Sequence, residues 1–278
     1  MSTASPPKKP PPPAPPPKTG SPAVAPAAKR DFRIEEGVVE GPQRVVILGP
    51  GGIGKSSLCA SLSDVGIKPL FVDIGDGSRH LNVARLHPQS WQETRDILHD
   101  DKLWQGFGAV VIDDLTKAQE LATVHTLATI KHEKGHFVDR IEAYGYGKGF
   151  TFVYETFLQL LGDLDQHIRA DRQVVCVAHD EVVEAPNPLG EDFLRYEMRL
   201  QSQKNGNIRA RVKEWADHVV FIGYDLAVND AGKAIGAGTR TIYVQERPAW
   251  IAKSRSLSDN IVYRKGDAEF WRQLLNKE

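Results

Sequence analysis

Arg44-Val45-Val46-Ile47-Leu48, running on into Gly49-Pro50-Gly51-Gly52-Ile53-Gly54-Lys55-Ser56, decides the fold of this chain. The second part fits the phosphate-loop pattern G-x-x-x-x-G-K-[ST] at every fixed position. Its glycines let the backbone curl so that N–H groups converge on phosphate oxygens without Cβ atoms in the way. The helix expected from Lys55 to Leu62 adds the favourable end of its dipole. Gly49, Pro50, Gly51, Gly52, Ile53, Gly54, Lys55, Ser56 and Ser57 are therefore the expected cradle for ATP. Lys55 supplies a point charge for the β- and γ-phosphates, and the Ser56 hydroxyl is placed to ligate Mg²⁺. The apolar run before the loop reads as a buried strand, giving strand, loop and helix in the order the motif requires.

Four more apolar runs follow, Leu70–Asp73, Ala109–Asp113, Val174–Ala178 and Val219–Gly223. They lack polar alternation, as expected of strands covered on both faces. Helical stretches at Trp91–Leu98, Leu115–Ile130 and Phe152–Arg169 separate them. The expected fold is a wound α/β sandwich around a mainly parallel sheet. Past Gly223, Asn229–Lys233 reads as a turn between extended runs that end at Thr239–Gln245, a β-hairpin that extends the sheet. A last amphipathic helix, Ala268–Leu275, carries Phe270, Trp271 and Leu274 on one side.

Val110-Val111-Ile112-Asp113-Asp114 is an apolar strand ending in carboxylates, about sixty residues after the phosphate loop, where a carboxylate holds Mg²⁺ through its water shell. Asp113 is the expected metal-side residue. Asp114 is either the cap of the next helix or a catalytic group. His179 follows the run Val174–Ala178, and in a parallel sheet the C-terminal strand ends converge on the ligand crevice. It is a candidate to sense the γ-phosphate or to position water. A second motif, His132-Glu133-Lys134-Gly135-His136, matches the zinc pattern H-E-x-x-H. A zinc site needs both histidines on one continuing helix, whereas Gly135 and Phe137-Val138-Asp139 end the helix there. These five read as polar residues at a helix terminus.

Composition bounds the rest. The chain has 278 residues, 35 Lys and Arg against 36 Asp and Glu, and a net charge of −1. Residues 1–30 hold Lys8, Lys9, Lys18, Lys29 and Arg30 and no acid, so that segment is +5 and the remainder −6. The body is no generic polyanion binder, and a nucleic-acid site must be a local patch. Residues 5–28, rich in proline, are expected to form an extended tail, a solubilising leader or a docking segment for a partner. Residues 1–40 are thus read as a disordered tail and 41–278 as the ATPase domain. Within 31–40, Phe32 and Ile34 could form an edge strand. No apolar run reaches about 18 residues and no secretory leader is evident, so a cytoplasmic protein without membrane contact is expected. Cys59 and Cys176 sit in apolar segments and read as inert core thiols.

The phosphate loop, Phe71-Val72-Asp73, Tyr144-Gly145-Tyr146-Gly147-Lys148-Gly149, Val177-Ala178-His179, Lys213-Glu214-Trp215-Ala216-Asp217 and the block from Glu246 to Arg255 together resemble the phage-encoded P-loop nucleotide-binding proteins. The resemblance spans about Gly41 to Val262. It implies a RecA-like core, in a family where some members are single-strand annealing recombinases, working in the cytoplasm of a bacterial host. It also implies homo-oligomers, as filaments or rings on DNA, with a single-strand-binding protein or other replication factor as a candidate partner. RecA-type cores carry a catalytic Glu in a D-x-E arrangement after the second strand. Here Asp73-Ile74-Gly75-Asp76 has Gly75 at that place, so Asp76 or Asp114 is left to activate water and slow hydrolysis is expected. Lys253-Ser254-Arg255 is similar to the K-x-K element that reaches a neighbour's γ-phosphate. Lys253 and Arg255 are then expected to act in trans, with a solvated basic turn as the alternative.

The stretch from Arg195 to Lys213 holds Arg195, Arg199, Lys204, Arg209, Arg211 and Lys213 against Glu197 alone, with Tyr196 nearby and Asn205-Gly206-Asn207 as a tip. Cations for phosphates and an aromatic for bases are the parts of a single-stranded DNA site. A charged, solvated loop is the competing reading. The run Tyr144–Phe150 is a second candidate, or a glycine hinge before the long helix. Two other functions fit the same motifs. One is a nucleotide-gated scaffold that hardly hydrolyses ATP, which Gly75 favours. The other is a motor or kinase without DNA preference.

Overall fold

Polar residues punctuate the apolar runs, and the elements start and stop at them. The computed structural model describes residues 36–37, 41–228 and 234–276. The proline-rich tail, Phe32 and Ile34 of the anticipated edge strand, and the turn Asn229–Lys233 lie outside the described residues. Strand β1 (Arg44–Gly49) leads through the phosphate loop into α1 (Lys55–Ala60), which tightens into a 3₁₀ turn over Ser61–Val65. Then come β2 (Pro69–Asp73), a short edge strand β3 (Ala84–Leu86) and α2 (Trp91–His99). Helix α2 is capped by Ser90, whose hydroxyl accepts from Glu93 N, while the Glu93 carboxylate accepts from Gln89 N just before the cap. Strand β4 (Ala109–Asp113) precedes α3 (Leu115–Thr129), and α4 (Lys148–Arg169) leads to β5 (Gln173–Ala185). Beyond it lie β6 (Phe193–Met198), the small ribbon β7 (Ser202–Gln203) and β8 (Gly206–Asn207), and α5 (Ile208–Trp215). Strands β9 (His218–Val228), β10 (Ala234–Tyr243) and β11 (Ile261–Val262) and helix α6 (Glu269–Leu274) complete the chain.

Among the described residues the main sheet has nine strands, in the order β11-β10-β9-β1-β5-β4-β2-β3, with β6 paired to β5. The six from β9 to β3 are parallel, while β6, β10 and β11 run antiparallel to their neighbours. This is a mainly parallel α/β P-loop sandwich in which β5 separates the phosphate-loop strand from the Asp113 strand. Alternate residues of β1 enter opposite cores. Val46 and Leu48 pack with α2, α3, α4 and α5, and Val45 and Ile47 pack with α1 and α6. The hairpin expected past Gly223 is β9–β10, and Phe270, Trp271 and Leu274 of α6 are buried as anticipated.

Three expectations need correction. Strand β5 does not stop at Ala178 but runs to Ala185, because β6 pairs with it beyond the parallel strands. Helix α4 begins at Lys148 rather than Phe152, so the Tyr144–Phe150 run is part 3₁₀ turn, part helix. The basic stretch is not a loop: it folds as β6, β7, β8 and α5, stitched by Gln201, whose side-chain amide donates to Phe150 O and Gly206 O. No described helix is long and apolar enough to cross a membrane.

Candidate nucleotide site

The parallel register brings the polar strand ends to one edge. Gly49 of β1 lies opposite His179 of β5, and Asp73 of β2 opposite Asp113 of β4. Together with the phosphate loop they border a crevice of 320 Å³, lined by Gly51, Gly52, Gly54, Lys55, Ser56, Ser57, Gly75, Gly77, His80, Asp113, Asp114, Val177, His179 and Lys265. Lys55 Nζ donates to Gly49 O at 2.6 Å and Pro50 O at 3.0 Å, so the ammonium rests on its own loop. Burial lowers its pKa against the pull of Asp180, Asp113 and Asp114.

Ser56 Oγ donates to Asp113 Oδ2 at 2.7 Å. Burial raises the Asp113 pKa to about 6; Ser56 opposes this and the Asp73 and Asp114 carboxylates add to it. A hydroxyl and a buried carboxylate, both hard oxygen donors, fit a Mg²⁺ ion. Asp73, Asp76 and His87 also present ligand atoms within 4.8 Å of one another. Asp73 is already engaged there, accepting from Gly77 N, Ser78 N and the Ser78 hydroxyl.

Asp114 caps the next helix and also meets the end of β5. Its Oδ1 accepts from Lys117 N at 2.8 Å, capping α3, and its Oδ2 lies 3.3 Å from His179 Nε2. Burial pushes its pKa up, but the bonds from His179, Lys117 and Thr116 outweigh this and hold it below the ordinary value. Gly75 belongs to the same cluster: a Cβ there would lie 3.0 Å from Asp114 Oδ2. The space a side chain at 75 would take is held by the Asp114 carboxylate. Asp76 does not line the crevice. It sits at φ +58 in an ion pair with Arg79, 3.7 Å from His87 Nδ1.

Lys253 and Arg255 lie at the opposite edge of the sheet from the phosphate loop of the same chain. Lys253 pairs with Val219 near the start of β9. Its Nζ donates to Lys213 O at 2.9 Å and Ala216 O at 2.6 Å, capping the C-terminus of α5. Arg255 is exposed and 3.3 Å from Asp217. His132 and His136 stack at 5.0 Å in a turn beyond α3 rather than on a helix.

The basic residues divide into two groups. Arg195 pairs with Glu197 and Glu246, Lys213 pairs with Glu246, and Arg209 pairs with Glu181 and donates to Met198 O. These three are occupied within the fold. Arg199, Lys204 and Arg211 are exposed. Lys204 and Arg211 line a groove of 540 Å³ with Tyr154, Asn205 and Thr151 and with the carboxylates of Glu155 and Glu214, the latter 3.9 Å from Arg211, and Thr151 Oγ1 donates to Asn205 O at 2.7 Å. The run Tyr144–Phe150 lies against the same ribbon without lining the groove: Phe150 O accepts from Gln201, and a Cβ on Gly147 would lie 2.9 Å from Asn205. Tyr146, in the run before α4, is 98% exposed at φ +50, a backbone conformation side chains rarely adopt.

Sequence reasoning missed His80, Gly77 and Lys265. His80 sits on an irregular segment with no motif around it, and Lys265 lies beyond the hairpin, 210 residues from Lys55.

A family model described as an AAA domain matches residues 41–256. No curated protein matches the chain in sequence. Among solved structures, the crystal structure of the RadB recombinase is similar with a TM-score of 0.40 and 13% identity, over 73% of this chain and 80% of that one.

Proposed function

The chain belongs to the AAA-domain family, and on that premise we propose that it is a Mg²⁺-dependent ATPase that acts on single-stranded DNA, in recombination or strand annealing. The contact between Ser56 and Asp113, with Lys55 in the same crevice, is the observation that carries the nucleotide reading. Lys55 exchanges its loop carbonyls for the β- and γ-phosphates, and Ser56 and Asp113 hold the ion. The ion, when bound, neutralises charge on the phosphates. Asp114 fixes the His179 imidazole, and this pair orients a water and takes its proton as the water oxygen bonds to the γ-phosphorus and the bond to the ADP oxygen breaks.

The groove of Lys204, Arg211 and Tyr154 supports the DNA reading, since it offers two cations for a backbone and a ring for a base alongside Glu155 and Glu214. Its walls come from α4, the β7–β8 ribbon and α5, each joined by hydrogen bonds to the others. Arg255, lying away from the crevice of its own chain, suits a role at a neighbour's site in a filament or ring. A phage or bacterial-host cytoplasmic setting rests on the resemblance in sequence.

A fluorescent single-stranded oligonucleotide, titrated at two salt concentrations with ATP, ADP and no nucleotide, tests this reading. Binding that ATP strengthens and salt weakens supports it. No binding in any nucleotide state moves the assignment to a nucleotide-gated scaffold with little hydrolysis, the reading that the absence of a carboxylate at Gly75 favours.

A further inference from the structure

One wall of the nucleotide crevice comes from the far end of the chain. Strand β11 pairs with Thr241 and Ile242 of β10, and the next residue, Tyr263, is buried against the phosphate loop. Its hydroxyl donates to Gly54 O at 2.8 Å and accepts from Gly266 N at 3.3 Å. A Cβ on Gly54 would lie 3.0 Å from that phenol, and Gly54 also stands at φ +114, so the loop has glycine here on two counts. Further on, Ser61 Oγ donates to Asp267 O at 3.1 Å and Trp271 Nε1 donates to Leu58 O at 2.6 Å. The segment from Tyr263 to Trp271 is therefore fastened along the whole of α1 and the turn after it.

Lys265 lies between these anchors and lines the crevice beside Gly51, Gly52 and Gly54. Among the described residues it makes no hydrogen bond or ion pair. The crevice needs such a charge. Its lining holds Lys55 as the other ammonium, against the two carboxylates Asp113 and Asp114. A triphosphate adds several more negative charges, and Lys253 and Arg255 of the same chain stand at the other edge of the sheet. Among the described residues no phenyl, phenol or indole ring lines this crevice, so the wall carrying Lys265 offers a base no aromatic platform. It offers a phosphate chain a cation on a short, fixed segment.

We propose that Lys265 is a nucleotide-binding residue acting in cis. Its ammonium pairs with the phosphate chain from the side opposite the Ser56–Asp113 edge, and the Tyr263–Gly54 hydrogen bond keeps it there. This rests on the nucleotide reading above and adds a second lysine to it. The C-terminal segment is then part of the ATP site rather than a packing element alone.

Equilibrium titration of the full-length protein with fluorescent ATP, competed by ATP, ADP and adenosine, tests the assignment. Lys265→Ala is expected to weaken ATP about 10-fold and Lys265→Glu more, whereas Lys265→Arg stays near the unaltered protein and adenosine competes equally in all. Lys265 is exposed and, among the described residues, unpartnered, so melting temperatures of the three variants should match the parent. ATP affinity unchanged in both Lys265→Ala and Lys265→Glu, with Lys55→Ala abolishing binding, would overturn the role of Lys265 and leave the nucleotide site standing. Failure of the unaltered protein to bind ATP, or undiminished binding by Lys55→Ala, would overturn the site and Lys265 together.

Discussion

Ser56 Oγ and Asp113 Oδ2 meet at 2.7 Å although 57 residues separate them and β5 intervenes between their strands. The contact exists because α1 leaves β1 beneath the C-terminal edge where β4 also ends. It gathers the helix start, the hydroxyl and the carboxylate into one place, and it concentrates a burial cost on Asp113 that a divalent cation would relieve.

Asp113→Ala should therefore separate nucleotide binding from metal dependence. ATP affinity measured in EDTA is expected to stay within about twofold, while Mg²⁺-dependent phosphate release falls by about 100-fold or more. Nucleotide titrations with and without Mg²⁺, alongside turnover, check this.

Asp114→Asn distinguishes chemistry from capping. Asparagine caps helices as well as aspartate does, so the stability of α3 should change by less than about 0.5 kcal/mol. Loss of the carboxylate beside His179 should lower turnover by about 10² to 10⁴, with ATP affinity nearly unchanged. A full-rate Asp114→Asn enzyme would remove the pair from the mechanism.

How much of this was legible in the sequence follows from range. The phosphate loop and Asp113 were readable because local chemistry constrains a contiguous run. So were the strands, whose apolar blocks record burial on both faces. The Asp114–Gly75 relationship was not, since it depends on β2 and β4 lying side by side. The same limit hid Lys265. Composition also overstated the basic stretch: it counts Arg195, Arg209 and Lys213 as free charges, whereas Glu181, Glu197 and Glu246, the first and last outside that stretch, neutralise them.

Arg209 and Arg211, two positions apart, should then behave differently. Arg209→Ala strips a mostly buried pair with Glu181 and bonds to Met198 O and Leu200 O, and should cost about 1–3 kcal/mol in chemical denaturation. Arg211→Ala, at an exposed site, should leave stability within about 0.5 kcal/mol and reduce the salt slope of DNA binding by about one.

Lys253 and Arg255 also part company. Lys253→Ala frees the carbonyls that end α5 and should destabilise the fold. Arg255→Ala should leave the monomer intact and abolish turnover in assemblies. Mixing Arg255→Ala with Lys55→Ala subunits should restore activity, because each supplies what its neighbour lacks; no recovery on mixing would rule out action in trans.

Two buried histidines set an acid limit on stability. Burial, helped by Arg172 at His167 and by Arg255 and Lys253 against Asp217 at His218, brings both pKa values down to about 4 from 6.5. Below pH 6.5 the unfolded chain binds more protons than the folded one, so stability is full above that pH and is lost as pH falls towards 4. Urea midpoints at pH 7.5 and 4.5 should diverge, and His218→Gln should narrow the gap.

Multiple-turnover phosphate release from ATP and Mg²⁺, with and without single-stranded DNA, tests the central claim most directly. The account predicts slow basal release that single-stranded DNA stimulates, that high salt suppresses, and that Lys55→Ala abolishes. Release that is absent, or identical with and without DNA at low salt, would contradict a DNA-directed ATPase.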